Sequence, residues 1–387
     1  MAINFFIGQN GKARRVRQQF VSVNGKARRV LKGYVGVNGK ARLFYSATTE
    51  CVEHGEAPSL GSTSKVYVSA ASTPDYAIFA GGLDPNSSFS EVSSAKAYNK
   101  SLTIQGISSL SVEKGHGASL SFNGRAVFAG GYKGVFLGYK HNDYVDTYDN
   151  SLTKSSLSRM RDTKASLAGA VVGNYMIFAG GETGSQIGNQ KMSSADAYDT
   201  SFTKISVSFL SSGRYYLRAA TVGNRAIFAG GLNGSYYSTV EVYDSSLTKT
   251  AGPALCEPKG SMFAGSNENY AVFAGGYSDK VGHSTKTDVY DKNLTHTTIG
   301  TVLGSGGACS SIGGNIVMSG GYYKVTDVGT YSNNLWCYDT SLATVYKGNI
   351  IKNLIMDCQS YAKYRPNETT GGIFVSWRRK EELPTGA

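Results

Sequence analysis

The 387-residue chain lacks the features that mark secreted, membrane-spanning or disulfide-stabilised proteins. No apolar run approaches the roughly 18 residues that indicate a membrane span. The first residues lack the basic start, long apolar run and small-residue cleavage site of a signal peptide, so we expect synthesis in a cytoplasm without export by that route. The cysteines are odd in number, widely separated and without a Cys-x-x-Cys pair, which predicts free thiols: Cys51, Cys256, Cys309, Cys337 and Cys358.

Helical patterning is also absent. No segment repeats its apolar residues at a helical period, and only 17% of the residues are charged, whereas 48 are glycine. A composition of this kind favours many tight turns. The chain therefore predicts an all-β fold, with enough apolar and aromatic residues to form a core.

What the chain does have is a repeated phrase, an apolar strand that ends in two glycines. It reads Phe79-Ala80-Gly81-Gly82 in the first copy and Met318-Ser319-Gly320-Gly321 in the sixth. The second glycines, spaced 49, 50, 50, 45 and 45 residues apart, are Gly82, Gly131, Gly181, Gly231, Gly276 and Gly321. A regular period in this range indicates copies of one supersecondary unit that cannot bury its apolar face alone.

A second mark follows each diglycine, a Tyr followed by Asp (Asn in the first copy). These tyrosines are Tyr98, Tyr148, Tyr198, Tyr243, Tyr290 and Tyr338. Four residues after each Tyr stands Leu or Phe: Leu102, Leu152, Phe202, Leu247, Leu294 and Leu342. In the second copy the pattern predicts strands at Gly117–Phe122, Arg125–Ala129 and Tyr144–Tyr148, and a fourth from Leu152. Four strands per repeat of roughly 50 residues are typical of a propeller blade.

A diglycine that ends an apolar strand and is followed by Tyr-Asp is the pattern of the kelch repeat. The chain resembles that family from about Lys65 to Val345. The resemblance implies a kelch-like β-propeller. Kelch repeats place a Trp a few residues after the Tyr, whereas the tryptophans here, Trp336 and Trp377, do not fill that place. We therefore expect the Leu or Phe after each Tyr to pack the blade core instead, in a divergent branch of the family.

The number of blades follows less directly from the repeats. Six copies are complete, and a composite seventh blade is expected because it would remove exposed sheet edges. Its four strands would be Ile355–Tyr361, Gly371–Trp377, Ala41–Tyr45 and Thr48–Val52.

The N-terminal 45 residues contain no acidic side chain and ten Lys or Arg, whereas the other 342 carry 29 basic and 27 acidic residues. Asn-Gly-Lys-Ala-Arg begins at Asn10, Asn24 and Asn38, a period of 14 residues. Asn-Gly between strand-like runs is a strong hairpin signal, so we predict a small antiparallel meander with three basic turns. The predicted attachment residues are Lys12, Arg14, Arg15, Lys26, Arg28, Arg29, Lys40 and Arg42.

This segment resembles, over Gly8 to Ser46, the NGKAR-type repeats that open many tail-associated proteins of phages and prophages of Gram-positive bacteria. The resemblance implies a virion origin, with the N-terminal end attached to the particle. Charge alone leaves three interpretations open: docking on an acidic protein surface, binding of a nucleic-acid backbone, and a solvated basic face of a structural hairpin stack.

Basic residues also recur 14 residues before the Phe of each diglycine phrase. They are Lys65, Lys114, Lys164, Arg214 and Lys259, with Gly304 in the sixth copy. By symmetry they would ring the channel mouth on one face, where a cation ring would bind acidic sugars, phosphates or a carboxylate-bearing peptide. The structural alternative is that each one caps carbonyl groups or pairs with a neighbouring blade.

The loops after the diglycines vary in length and are rich in tyrosine, and they are expected on the same face as the basic residues. Loops on a rigid scaffold often carry recognition, and Tyr beside Ser, Gly and Asn suits a glycan or protein surface. The predicted ligand-binding tyrosines are Tyr132, Tyr139, Tyr236, Tyr237, Tyr322 and Tyr323. The alternative is that many of them pack beneath their own loops.

Catalytic and metal-binding signals are weak. The five histidines fall in different repeats without ligand-like spacing, and neither a nucleophile elbow nor a phosphate-binding loop is present. The sequence therefore predicts no catalytic residue, no metal and no cofactor.

Together these features favour two domains, a hairpin module at residues 1–45 and a propeller at residues 46–387. The function they favour is a non-enzymatic phage or prophage virion protein, in the tail or a surface fibre. Its partners would be other virion proteins through residues 1–45 and a host-surface glycan or protein at the propeller face. Two alternatives stay open, a glycan-active epimerase or hydrolase and an intracellular scaffold with a nucleic-acid-binding arm. Membrane insertion is not expected, and a homo-oligomer is compatible with the sequence.

Overall fold

The computed structural model describes six strands between residues 6 and 46, and most of residues 67–349. Within the second range it does not describe residues 85–89, 100, 102, 136–137, 185–187, 301–303, 313–314, 320, 326–327, 332–333, 340 and 343. The described residues form strands, turns and bends without a helix, as the composition predicts. The predicted all-β fold is therefore confirmed.

The N-terminal strands pair into three hairpins. Their bounds are Phe6–Gln9 with Lys12–Arg15, Phe20–Val23 with Lys26–Arg29, and Lys32–Val37 with Lys40–Ser46. In each hairpin the last paired residues flank Asn-Gly, as Gln9 and Lys12 do. The predicted hairpins are present, but the described strands form three separate two-stranded sheets and not one meander.

The chain divides into two compact units, Met1–His54 with Val375–Ala387, and Gly55–Phe374. The predicted boundary between residues 45 and 46 stays a prediction. The eight predicted attachment residues lie on the second strands of the hairpins.

The larger unit contains six four-stranded antiparallel sheets, which we number blade 1 to blade 6 in chain order. Their strands are Ser69–Ser72, Tyr76–Ala80, Ala95–Asn99 and Ile104–Ile107 in blade 1; Ala118–Phe122, Arg125–Ala129, Val145–Tyr148 and Lys154–Ser156 in blade 2; Ala168–Val172, Tyr175–Ala179, Ala195–Asp199 and Lys204–Ile205 in blade 3; Arg218–Val222, Arg225–Ala229, Val240–Asp244 and Lys249–Gly252 in blade 4; Phe263–Ser266, Tyr270–Ala274, Lys286–Asp291 and His296–Gly300 in blade 5; and Ala308–Ile312, Asn315–Ser319, Asn334–Tyr338 and Thr344–Asn349 in blade 6.

The first strands of consecutive blades lie side by side, and the second, third and fourth follow outward in sequence order. This arrangement is a six-bladed β-propeller. The segments predicted to form a seventh blade at residues 48–52, 355–361 and 371–377 lie outside the described residues. Ala41–Tyr45 belongs to the third N-terminal hairpin, where it pairs with that hairpin's first strand.

Between the second and third strands of each blade lies a two-stranded hairpin, which we call the face hairpin. The six face hairpins are Leu83–Asp84 with Ser90–Glu91, Tyr132–Val135 with Gly138–His141, Glu182–Thr183 with Gln190–Lys191, Leu232–Asn233 with Ser235–Tyr236, Tyr277–Ser278 with Gly282–His283, and Tyr322–Val325 with Val328–Tyr331. They differ in length and sequence, whereas the blade strands that carry them are alike.

The repeated Phe and Tyr form the core contacts of each blade. In blade 2 the Phe128 and Tyr148 rings meet edge to face, 5.8 Å apart at 81°. Equivalent ring pairs occur in blades 1, 3, 4 and 5. The Tyr148 hydroxyl also donates a 2.6 Å hydrogen bond to the Ser108 carbonyl of the preceding blade. Tyr198, Tyr243 and Tyr290 make the same bond, so each of these tyrosines joins two blades.

The turn between the third and fourth strands holds the repeated Leu or Phe in a left-handed conformation. Leu152, Phe202, Leu247, Leu294 and Leu342 have φ between 61° and 64°. Asp149 supports one such turn, because its Oδ1 accepts hydrogen bonds from the amides of Ser151 and Thr153. All five side chains pack against the buried clusters between blades, which confirms the predicted core role. The fourth strand of blade 2 begins at Lys154 and not at the predicted Leu152, because this turn precedes it.

The second glycine of each phrase meets the chain segment that enters the next blade. Gly131 has φ 108°, and its amide donates a 2.9 Å hydrogen bond to the Lys164 carbonyl. A Cβ at this position would stand 2.6 Å from the Gly115 carbonyl oxygen. The glycine is therefore required both by conformation and by the close approach of backbone.

Candidate functional site

The basic residues that enter each blade are buried inside it. Lys114, Lys164, Arg214 and Lys259 expose no more than 4% of their surface. Each faces a carboxylate two residues before the Tyr of the third strand. The nitrogen–oxygen distances are 3.9 Å for Lys114–Asp146, 3.0 Å for Lys164–Asp196, 2.7 Å for Arg214–Glu241 and 2.9 Å for Lys259–Asp288.

A second nitrogen-bearing side chain, from the fourth strand, completes each cluster. Its nitrogen lies 3.4 Å from the carboxylate for Lys154, 2.7 Å for Lys204, 2.8 Å for Lys249 and 2.7 Å for His296. A backbone amide adds a further donor, such as Arg161 to Asp196 at 2.8 Å. We call these clusters the blade triads.

The pKa values show how tightly the blade triads are coupled. Burial alone would raise the pKa of Asp196, but Lys164, Lys204 and the Arg161 amide outweigh it and hold the pKa below its usual value. Burial lowers the pKa of Lys114 to about 8 against the opposing attraction of Asp146. The cations are thus compensated by neighbouring charges within the blade.

This geometry corresponds to the structural alternative for the basic residues, in which they cap carbonyls and form ion pairs. Lys164 Nζ also donates to the Ser194 carbonyl, and Lys114 Nζ to that of Phe128. Lys65 lies outside the described residues. A ligand-binding role for these residues stays a prediction, and their burial does not favour it. The carboxylates were visible in the sequence as Asp or Glu two residues before Tyr, a signal that the sequence analysis did not use.

Residues with a left-handed backbone conformation occur two positions after the basic residues, where the chain enters each first strand. We call them the entry ring. Its members have positive φ and are Tyr67, His116, Ser166, Tyr216, Ser261 and Gly306. The amide of each donates to the carbonyl of the preceding member at 2.7–3.1 Å from Ser166 through Gly306. Sequence reasoning missed this ring because the backbone makes the bonds, so the residue types share no pattern.

Aromatic side chains cluster beside this ring at blades 1 and 2. The Tyr67 and His116 rings stack at 3.9 Å, and His116 stacks on Tyr132 at 4.8 Å. Burial lowers the pKa of His116 to about 3, with a further contribution from Arg218. Burial also lowers the pKa of His141 to about 4. Both imidazoles are therefore neutral at neutral pH.

The face hairpins attach directly to the entry segments. Isolated bridges pair Gly115 with Tyr132, Ala165 with Glu182, Tyr215 with Leu232 and Gly260 with Tyr277. The hairpins therefore lie at the same end of the blades as the basic residues, as the sequence analysis expects. Among the tyrosines predicted to bind a ligand, Tyr236 contacts Tyr277 edge to face, with ring centroids 5.9 Å apart. The Arg214 guanidinium lies 5.9 Å from the centroid of the Tyr237 ring. Tyr139, Tyr322 and Tyr323 lie on face-hairpin strands.

Two buried carboxyl groups also belong to the face hairpins. Glu182 accepts hydrogen bonds from Asn189 and Lys191 at 3.0 and 3.1 Å. Burial raises its pKa despite these donors. Burial likewise raises the pKa of Glu91.

A cleft of about 590 Å³ opens between the face hairpin of blade 2 and the segments that enter blades 2 and 3; we call it the blade-2 cleft. It is lined by Ser93, Ser111, Val112, Glu113, Lys133, Lys140, His141, Asn142, Asp143, Tyr144, Arg159 and Thr163. A volume in this range suits a small ligand such as one or two sugar units.

Arg159 closes one side of the blade-2 cleft. Its guanidinium lies 4.1 Å from the Tyr144 ring centroid and donates a 2.7 Å hydrogen bond to the Tyr144 hydroxyl. It also pairs with Asp143 at 3.6 Å. Two further lining residues, Lys133 and Glu113, form an ion pair with each other.

The chain is thus a six-bladed β-propeller with a buried, repeated scaffold and a variable hairpin face. Among solved structures, that of YjhT matches with a TM-score of 0.56 and 13% sequence identity, over 74% of this chain and 99% of that one. At this identity the likeness concerns the fold alone. No protein-family model matches the chain, and no curated protein matches it.

Among the residues described, no three His, Cys, Asp or Glu side chains are grouped so that they would hold a metal ion. The described part of the chain also contains no helix that is long and apolar enough to cross a membrane.

Proposed function

We propose that this chain is a non-enzymatic virion protein of a phage or prophage, and that its hairpin face recognises a glycan or protein on the host surface. One observation carries the proposal: the blades share one strand order, whereas the face hairpins differ in length and sequence and all lie at one end. Variable loops on a rigid, repeated scaffold are the usual design of a recognition surface.

We also propose that the propeller is kelch-like. The diglycine, the Tyr-Asp and the blade order support a kelch-like propeller, of a branch in which Leu or Phe at the third turn replaces the usual Trp. The likeness of the three N-terminal hairpins to phage tail repeats supports the virion role. The ten basic residues of that segment would attach the protein to an acidic surface of another virion component.

A glycan array probed with the full chain tests the recognition role. We expect binding to a limited set of glycans, lost at least tenfold in a variant with Tyr132→Ser, Tyr236→Ser and Tyr237→Ser, because aromatic side chains dominate binding surfaces. Tyr175→Ser is the matched control, since Tyr175 begins the second strand of blade 3, at the opposite end from the diglycine. Equal loss in the control, or no loss in the triple variant, would contradict the assignment of the face.

A glycan-active enzyme is the second candidate, and Glu182 is the observation that favours it. A buried carboxyl with a raised pKa, at the point where a face hairpin pairs with the segment entering blade 3, is suited to general acid catalysis. Analysis of the same glycans after incubation tests this candidate. New reducing ends or an altered anomer, abolished by Glu182→Gln, would establish an enzyme, whereas unchanged glycans support recognition alone.

A further inference from the structure

We propose that the blade-2 cleft binds the anionic group of a hydroxyl-rich glycan unit, a carboxylate or a phosphate. The inference rests on the proposed recognition role of the hairpin face and names the site and the charge of its ligand. It is carried by three observations: the cleft itself, a pair of facing lysines, and a comparison among the blades.

Two lysines face each other across the hairpin that forms one wall of the cleft. Lys133 and Lys140 are direct partners in the antiparallel register, and both line the cleft. Like charges directly opposite in a sheet are destabilising. The Lys133 side chain pairs with Glu113, whereas the Lys140 side chain has no hydrogen bond or ion pair with another residue that the structure describes. A bound anion would relieve this repulsion.

The six face hairpins provide an internal comparison, because the register identifies equivalent positions. The pairs equivalent to Lys133 and Lys140 are Asp84 with Ser90, Thr183 with Gln190, Asn233 with Ser235, Ser278 with Gly282, and Tyr323 with Thr330. None of them contains a cation. The two lysines are therefore not part of the repeated scaffold.

Arg159 and Tyr144 depart from the repeat in the same place. Arg159 lies five residues before Lys164, and the equivalent positions before Lys114, Arg214, Lys259 and Gly304 are Ser109, Phe209, Ala254 and Ile299. Tyr144 lies two residues before Asp146 in blade 2. The equivalent residues of blades 1, 3, 4 and 5 are Ser94, Ser194, Thr239 and Lys286. Departures from a duplicated scaffold thus converge on one cleft.

The charges of the cleft define the chemistry of its ligand. Lys133, Lys140 and Arg159 oppose the carboxylates Glu113 and Asp143, which leaves an excess of one positive charge. The hydroxyl groups of Ser93 and Thr163 in the remaining lining can hydrogen-bond to ligand hydroxyl groups, whereas Ser111 and Asn142 are engaged within the protein. A single anionic group on a hydroxyl-rich unit matches this lining.

Calorimetric titration of the full chain tests the inference with three probes: a disaccharide containing one uronic acid, glycerol 3-phosphate and a neutral disaccharide. We expect one or both anionic probes to bind and the neutral one to bind at least tenfold more weakly. A uronate response identifies a carboxylate ligand, and a glycerol phosphate response identifies a phosphate ligand. Binding should weaken as salt is added, because the contact is ionic.

Lys140→Ala should weaken binding of the anionic probe about tenfold, the effect of one lost charged hydrogen bond, while Lys140→Arg should retain most of it. Lys280→Ala is the matched control, since Lys280 is exposed beside the face hairpin of blade 5. Equal binding of the neutral probe, or anionic binding that Lys140→Ala leaves unchanged, overturns the inference.

The experiments distinguish a wrong assignment of the cleft from a wrong proposed function. If the full chain binds array glycans but none of the anionic probes, the cleft assignment is wrong and the recognition role stands. If the chain binds neither array glycans nor host envelopes, the proposed function itself is wrong.

Discussion

Individual residues determine where charge is available in this protein. Positions that repeat along the chain, such as Lys164, are neutralised inside the blades, whereas cations found in one blade only, such as Lys140, remain exposed. Recurrence of a basic residue along the chain therefore accompanies burial and ion pairing within a blade. The blade triads have a direct consequence for stability.

Asp196→Asn should destabilise the protein by about 3 kcal/mol, because it leaves Lys164 buried without its countercharge. Denaturant unfolding of the full chain measures the free energy of unfolding. Asp279→Asn, at an exposed hairpin position, is the control and should change it by less than about 0.5 kcal/mol. A similar small effect for Asp196→Asn would mean that the blade triads do not stabilise the propeller.

The same variant should alter the acid dependence of stability. The pKa of Asp196 is lower in the folded protein than the usual value of about 3.9, so the unfolded state binds more protons below about pH 5. The stabilisation from this carboxylate is therefore complete at neutral pH and declines as pH falls through the folded pKa. Unfolding measured between pH 3 and pH 7 should show a shallower acid decline in Asp196→Asn than in the parent.

At the scale of the element, the turn between the third and fourth strands carries the strongest local requirement. A left-handed non-glycine residue is strained, and the strain is offset by the Asx hydrogen bonds and by packing of the Leu or Phe side chain. Asp199 forms this turn in blade 3, where its Oδ1 accepts from Ser201 and Thr203 at 2.9 Å.

Asp199→Ala should cost about 1–2 kcal/mol because two backbone donors lose their acceptor. Asp199→Asn is the control provided by the chain itself, since Asn99 accepts the equivalent bonds in blade 1. Thermal unfolding distinguishes the two variants. Equal destabilisation by Asn and Ala would show that the negative charge, and not the turn geometry, is what matters.

The repeated turns and strand ends were the part of the fold that could be predicted from the sequence. The diglycine, the Tyr-Asp and the Leu or Phe were predictable because each position requires a particular side chain or none. The entry ring through His116 was not, because backbone groups make its bonds and tolerate different residues. The blade-2 cleft was not predictable either, because its residues come from separate segments that only the blade register brings together.

At the scale of the whole molecule, the two units have different charge. The basic hairpins carry nearly all of the net charge of +12, whereas the 29 basic and 27 acidic residues of the remaining chain nearly cancel. This division supports separate tasks, attachment by the hairpins and recognition by the propeller face. Variants of each unit should therefore affect different binding partners.

Binding to cell envelopes from a panel of candidate host bacteria tests the central claim most directly. It should be compared among the full chain, the triple tyrosine variant of the face, and a hairpin variant with Arg14→Ser, Arg28→Ser and Arg42→Ser. We predict that the face variant loses envelope binding and the hairpin variant retains it. Loss in the hairpin variant with retention in the face variant would contradict recognition by the propeller face.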